Sequence, residues 1–315
     1  MVPETRGQSG DRLRTVLGRV GIRHLLHDAF LRLRLADGFS HSRSLAFMTS
    51  LVGIQALIAM VGLATVWHTG TVSSTIIALI HEMVPGPAGR TLTTAVVQAH
   101  VVANDHRYTA LEFGVLGAAI TGTTAMGQIE RGFNRIYGVE RDRPTVKKYG
   151  LALLFTVSVG TLLVISFVCL SLGRTIFQSG NFSDVWRIVR WPLGLLSIGA
   201  AATALLRWSP RRLQPTTPWL ACGSFIAVLL WGVATISLGI FFWTSSSFGK
   251  AYGPLAGIVA LLLWSFLSSV SLFYGAAVAA QLESIRAGED ETQDPVKVVE
   301  SEPRRAVSAF QGGPA

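Results

Sequence analysis

The chain has 315 residues, of which half are hydrophobic and only 14% are charged, and its mean hydropathy is +0.46. A soluble domain carries nearly twice that charge, so an ordinary pair of soluble domains is excluded despite adequate length. Twenty-seven Lys and Arg against 18 Asp and Glu give a formal net charge of +9. These charges crowd into a few segments and leave long runs with none, as in an integral membrane protein. Cys169 and Cys222 both lie in apolar runs, with no disulfide framework and no metal-ligand spacing.

Residues 1–44 form a basic segment. Its first twenty, MVPETRGQSGDRLRTVLGRV, have no apolar core and no small-residue cleavage site, so no cleavable signal peptide is expected. Asp11 to Leu35 reads as a helix with Leu13, Val16, Leu17 and Val20 on one side and Arg12, Arg19 and Arg23 elsewhere. Two readings stay open for it: a helix lying on an anionic leaflet, or one packed on the protein's own loops.

Crossing a hydrocarbon core takes roughly 20 apolar residues in a helix. Leu45–Val66 is the first such span. The segment that follows, Trp67 to Ala110, is long for a connection; STIIALIHEM and AGRTLTTAVVQAHVVAN read as two amphipathic helices broken at Pro85–Pro87, an extracytoplasmic hairpin within residues 67–110. Phe113–Ile129, Tyr149–Leu172, Trp191–Leu206, Pro218–Trp243 and Pro254–Leu282 complete six spans, so residues 45–283 are the membrane domain. Lipid leaves no partner for unsatisfied backbone, and these runs do not alternate as barrel strands do. The fold class is therefore an all-α integral membrane protein. Residues 284–315 are polar, aperiodic and expected to be disordered.

Orientation follows from Lys and Arg. The N-terminal segment holds 8, the second loop 6, the fourth loop 3 and the tail 4, whereas the first, third and fifth loops hold 2, 3 and 1. With 21 of the 27 on one side, both termini are expected in the cytoplasm of a multi-pass plasma membrane protein.

The seven histidines (His24, His27, His41, His68, His81, His100 and His106) fall in loops and helix ends, without a metal-binding run or a cysteine pair. No phosphate loop and no nucleophile elbow is present. No enzyme, cofactor or metal is therefore expected. Glycines and alanines instead repeat every four residues, at Gly114, Ala118 and Gly122 and again at Gly275 and Ala279, the spacing that lets membrane helices approach closely. Gln55, Thr121, Thr123, Thr124, Ser268 and Ser271 are the polar residues at depth; they either bond between helices or line a polar pathway. No carboxylate lies mid-span, which weighs against proton-coupled transport.

The second span runs into AMGQIERGFNRIYGVERDRP. Helical continuation puts Glu130 and Asn134 on one face and Arg131 and Arg135 on the adjacent one, with Gly138 as the C-cap and Pro144 beyond. Arg131, Arg135, Arg143, Lys147 and Lys148 are the candidate anion or lipid-headgroup site, since arginine grips phosphate bidentately. Glu130 and Asn134 are the expected supporting groups, and Tyr137 an interfacial anchor. Positive charge at this place is also what orientation alone requires.

The stretch IERGFNRIYGVERDRPTVKKYGLAL resembles the signature of the YihY/BrkB membrane family at Phe133, Asn134, Arg135, Ile136, Tyr137, Gly138, Val139, Arg143 and Pro144. A second similarity, SSFGKAYGPLAGIVALLLWSFLSS, matches the family's entry into its last helix at Tyr252, Gly253, Leu255, Trp264 and Leu267. The resemblance runs from about Arg14 to Glu283, and the YhjD-like branch is the nearest in kind. Two departures stand out. Gln55 occupies a place where many relatives have proline, and GAAVAAQLE puts Ala277, Ala279 and Gln281 where relatives carry Glu, Asn and Glu.

The resemblance implies an inner-membrane protein, of a family once labelled ribonuclease BN and now linked in part to envelope lipid handling. The expected function is transport or handling of a lipid or other amphiphilic envelope component. A membrane scaffold for envelope enzymes is the alternative, and a ribonuclease is disfavoured. The expected partners are membrane lipids, anionic ones foremost, and envelope proteins, with no specific nucleic acid.

Overall fold

The computed structural model describes residues 2–3, 21–66, 72–105, 107–139, 149–158, 182–212 and 217–288. Among them every regular element is helical: α1 (Ile22–Leu35), α2 (Gly38–Val66), α3 (Val72–Met83), α4 (Gly86–Asp105), α5 (Arg107–Tyr137), α6 (Tyr149–Ser158), α7 (Phe182–Trp208), α8 (Thr217–Thr244), α9 (Ser246–Tyr252) and α10 (Ala256–Arg286). A 3-10 turn, Gly253–Leu255, leads into α10. Three helices, α2, α8 from Trp219 onward, and α10, are long and apolar enough to cross a membrane. The expected second and fourth spans lie inside α5 and α7. The third coincides with α6 as far as Ser158, and the rest of it, to Leu172, lies outside the described residues. So do Asp11 to Val20 of the basic helix, Arg143, Lys147 and Lys148, and the tail from residue 289 onward.

Helix α2 runs antiparallel to both α5 and α10, and α10 antiparallel to α8. Gly62 of α2 meets Leu111 of α5, Ala59 meets Gly114, and Gln55 meets Gly117. Ser50 of α2 bonds Ser265 of α10 at 2.9 Å. On α10's other side Gly275 faces Gly223 and Ala227 of α8, and Trp264 Nε1 donates to Thr235 at 3.1 Å. Thr203 of α7 in turn donates to Ser224 of α8 at 2.9 Å. Helix α10 is thus the central stave. It packs on α1, α2, α4, α5 and α8.

Two apolar cores stack along this bundle. One, at the α1 end, gathers Leu25, Ala29, Leu33, Phe133, Ile136, Leu220, Phe273 and Leu282. The other holds Val61, Ile76, Ile80, Leu92, Val96, Ala260 and Leu261, so the α3–α4 hairpin packs directly on α2 and α10. The hairpin breaks at Val84–Pro85, where Gly86 has a φ of +50° that its missing Cβ allows.

Over its described part the basic helix packs on the protein itself. Its inward side, Leu25, Asp28, Ala29 and Leu33, is buried, and Tyr274 of α10 donates its hydroxyl to the Leu26 carbonyl at 2.8 Å. The helix lies on the protein's own α10.

Small residues explain why α2 and α5 come so close. A lipid environment gives helices no hydrophobic drive to associate, so contact area between backbones must supply it. A Cβ on Gly114 would collide with the Ala59 backbone, whereas one on Gly232 of α8 would meet nothing within 4 Å. Gly114→Leu is therefore expected to lower stability by about 1–3 kcal/mol or more, as overpacking does, and Gly232→Leu to leave it near wild type. The apparent melting temperature in detergent measures both; equal shifts would refute the close-contact account.

Candidate functional site

The last turns of α5 end in a backbone cap. Gly138, with a φ of +72°, donates its N–H to the Arg135 carbonyl at 3.1 Å, and Val139 donates to the Asn134 carbonyl at 2.7 Å. These are the paired bonds of a Schellman ending, which stops the helix where the glycine stands and leaves four side chains per turn pointing outward in fixed directions.

Those directions divide the motif in two. Glu130, Asn134 and Tyr137 are buried, at 3%, 1% and 0% exposure, while Arg131 and Arg135 are exposed. The spacing of three and four residues keeps each set on its own face.

The inner face closes on a polar cluster drawn from distant parts of the chain. Asn134 Oδ1 accepts the backbone N–H of Arg211 at 2.9 Å, fixing the turn between α7 and α8. The next residue, Arg212, pairs with Glu283 of α10 at 2.7 Å, with side chains only 2% and 1% exposed. Its guanidinium carbon sits 4.8 Å from the Tyr137 ring centroid, a cation–π contact in a desolvated place. Two residues back along α10, Gln281 accepts from Arg32 of α1 at 2.9 Å, and about a turn beyond Glu283, Arg286 lies over the Trp219 ring at 4.8 Å. Arg212 and Glu283 were not singled out from sequence. The only sequence signal for Glu283 was its place three turns below Ser271 in a helix otherwise without carboxylates.

Tyr137 is therefore no interfacial anchor. It is fully buried beneath Arg212, because α5 turns that face toward α10 and the 209–212 turn. Glu130 and Asn134 likewise face away from the two arginines they were expected to support.

The outer face of α5 is a single stripe. Phe113, Leu116 and Ile120 are exposed at 72%, 63% and 69%, and the same helical face continues through Thr124 to Arg131 and Arg135. Two clefts flank it. One, of about 410 Å³, lies between α2, α4 and α5 and is lined by Ile58, Ala99, Val102, Ala110 and Phe113 among others. The second, of about 350 Å³, lies between α5 and α6 and is lined by Ala119, Ile120, Thr123, Thr124, Tyr149 and Leu153. From Thr124 to Arg131 is seven residues, about 10 Å along a helix. Beside Arg131 and Arg135, His41 of α2 feels both their charges and that of Asp37, its ring 6.3 Å from Phe273.

The hydroxyls at depth bond within their own helices. Thr121, Thr123 and Thr124 each donate to the carbonyl four residues back in α5, and Ser268 and Ser271 do the same in α10. Gln55 lies flat against Gly117 in the α2–α5 contact. Ala277 and Ala279 are buried in the core. Among the described residues no three His, Cys, Asp or Glu lie together as a metal site.

Long apolar helices, antiparallel packing through small residues and a charged seam at one end define a helical membrane protein. The profile of the family described as Virulence factor BrkB matches residues 29–300, and the chain belongs to that family. It is 23% identical over 274 residues to the ribonuclease-like protein YfkH of Bacillus subtilis, covering 84% of this chain and 98% of that protein. It is 29% identical over 267 residues to a UPF0761 membrane protein of Azoarcus, covering 80% of this chain and 63% of the relative. A UPF0761 membrane protein of Pseudomonas paraeruginosa is 28% identical over 176 residues, 55% of this chain and 42% of that one. The chain thus spans nearly all of the first relative but well under two thirds of the last. No solved structure matches it.

Removing one partner of a buried ion pair leaves the other charge stranded, at a cost of about 3–5 kcal/mol. Glu283→Ala is expected to fall in that range, and Asn134→Ala, which removes the acceptor of the Arg211 N–H, to cost about 1 kcal/mol. Melting in detergent reads both. A milder effect for Glu283→Ala than for Asn134→Ala would show that the Arg212 pair is not what holds the seam.

Proposed function

We propose that this is a six-span plasma membrane protein, both termini cytoplasmic, that handles a lipid or similar amphiphile along the outer face of α5. The carrying observation is the continuity of that face: an apolar cleft between α5 and α6 leads to two exposed arginines, two and three turns beyond Thr124. An acyl chain fits the cleft, and a phosphate or carboxylate headgroup fits the arginines, at the depth where an anionic leaflet would present it. The six-span reading draws support from the alternating direction of the helices and from the basic α1 end, which faces the cytoplasm by the positive-inside rule. We read the chain as a non-enzyme without a cofactor, whose partners are anionic lipids.

A lateral route suits the interior as well. Hydroxyls that bond their own helix carbonyls do not offer a polar channel through the bundle. The close helix packing also fits the second reading, a scaffold for envelope enzymes that uses the α3–α4 hairpin. The two readings part on lipid binding.

In a chain whose Cys169 and Cys222 are replaced by serine, an impermeant thiol reagent on intact cells is expected to label Thr94→Cys in the hairpin and to spare Arg34→Cys in α1. The reverse pattern would overturn the orientation.

The paired substitution Arg131→Lys with Arg135→Lys keeps the charge and removes the bidentate fork. Normal protein levels are expected, with binding to phosphatidic acid nanodiscs weakened roughly tenfold, about 1.4 kcal/mol. Wild-type binding would reduce the arginines to an orientation signal and leave the scaffold reading in front. Metal-dependent RNA cleavage that vanishes with His81→Ala would overturn the non-enzyme reading instead.

A further inference from the structure

Residues 2 and 3 are seated in the inner cluster, far in sequence from everything they touch. Val2 is 1% exposed and belongs to the same buried core as Leu25, Phe133 and Leu282. Its N–H donates to the Tyr137 carbonyl at 3.1 Å. Arg212 donates to the Val2 carbonyl at 3.2 Å and to the Pro3 carbonyl at 3.1 Å, while holding Glu283 at 2.7 Å with its side chain 2% exposed.

A guanidinium has five N–H donors and nothing to accept with. Buried this deeply it has little water to fall back on, and one carboxylate cannot occupy the whole fork. Two backbone carbonyls from residues 2 and 3 take part of the remainder, and the Tyr137 ring covers one flat side at 4.8 Å. The place at Tyr137, Arg212 and Glu283 therefore recognises an extended backbone: one carbonyl to receive an N–H, one guanidinium to bind two carbonyls, and an apolar recess for a side chain of valine size. Pro3, with no N–H of its own, leaves no donor to strand at the second position.

We propose that this cleft is a docking site for an extended backbone segment and that Val2–Pro3 of the same chain is its resident occupant, a latch that seals the Arg212–Glu283 pair from the aqueous phase. The latch bonds the end of α5 at Tyr137 and the α7–α8 turn at Arg212, and Arg212 carries the link on to Glu283 of α10. It is independent of the lipid reading, which concerns the opposite face of α5.

The test is thiol reactivity at position 2, in full-length chain in nanodiscs with Cys169 and Cys222 replaced by serine. Val2→Cys is expected to react with a maleimide at least tenfold more slowly than Arg34→Cys, an exposed site on α1. Adding Arg212→Lys, which keeps the positive charge but not the fork, is expected to speed the reaction at position 2 severalfold. Adding Arg212→Met with Glu283→Leu instead, an apolar replacement of the pair that such sites often tolerate, is expected to bring it close to the exposed rate. Helix content by circular dichroism and a single gel-filtration peak establish that each variant is folded, and if one is not, the other decides. Reaction at position 2 as fast as at position 34 in the unaltered pair would overturn the latch. A rate that stays slow in a folded variant lacking Arg212 would overturn it too, since burial would then owe nothing to the guanidinium.

Discussion

A guanidinium keeps its charge when buried, so it is tolerated there only where a carboxylate and further acceptors surround it, and that demand organises the α1 end of this protein. Arg212 sits on the short turn between α7 and α8, and its partner Glu283 on α10. Neither can move without stranding the other, so the turn is pinned to the central helix. Asn134 pins the same turn from α5 by accepting the Arg211 N–H, and Tyr137 roofs the ion. A pair of this kind contributes little net stability, because desolvation consumes most of the Coulombic gain. Its contribution is to register: among helices whose contacts are otherwise apolar and slippery, it specifies which turn of α10 faces which turn of α5.

The conspicuous motif of α5 thus serves two purposes by helical geometry alone. Alternate members look inward and outward, so a run of charged and polar residues that reads as one patch is two surfaces back to back. The inward set builds the seam. The outward set ends an apolar stripe two to three turns beyond the cleft between α5 and α6. Membership of the BrkB family accounts for the motif as a whole, and only the fold separates its faces.

The helices themselves were legible. Charge-free runs located α2, α8 and α10, though α2 begins at Gly38, seven residues before the expected Leu45, and α10 runs on to Arg286; small-residue spacing anticipated close packing at Gly114 and Gly275. The hairpin's two helices followed from the Pro85–Pro87 break. The cluster was harder to see. Local periodicity puts Glu130 and Asn134 on a common face, but it does not say that this face is the inner one. That depends on where α10 lies, and Arg212 and Glu283 meet across 71 positions of sequence. Tyr137 was misread for the same reason. An aromatic residue at the end of a span is usually an interfacial anchor, and only the overhead turn makes it a buried one. Hydroxyls at depth were ambiguous in principle, since a threonine that bonds its own helix and one that lines a channel look alike in sequence.

The bundle's joints are of two kinds, and this has a mechanical consequence. Between α2 and α5, and between α8 and α10, backbone lies against backbone at Ala59, Gly114, Gly223 and Gly275. Such contacts have no rotamers to adjust and resist sliding as a unit. The seam between the two pairs is different. It is made by side chains, among them a single Ser50–Ser265 hydroxyl bond and the ring of Phe273 set edge-on to Phe133. Side chains can exchange partners where backbones cannot. Clamped at the α1 end by the Arg212–Glu283 cluster, the molecule is otherwise two stiff beams joined along a more compliant line, and strain applied by the surrounding bilayer would concentrate in that line rather than within either beam.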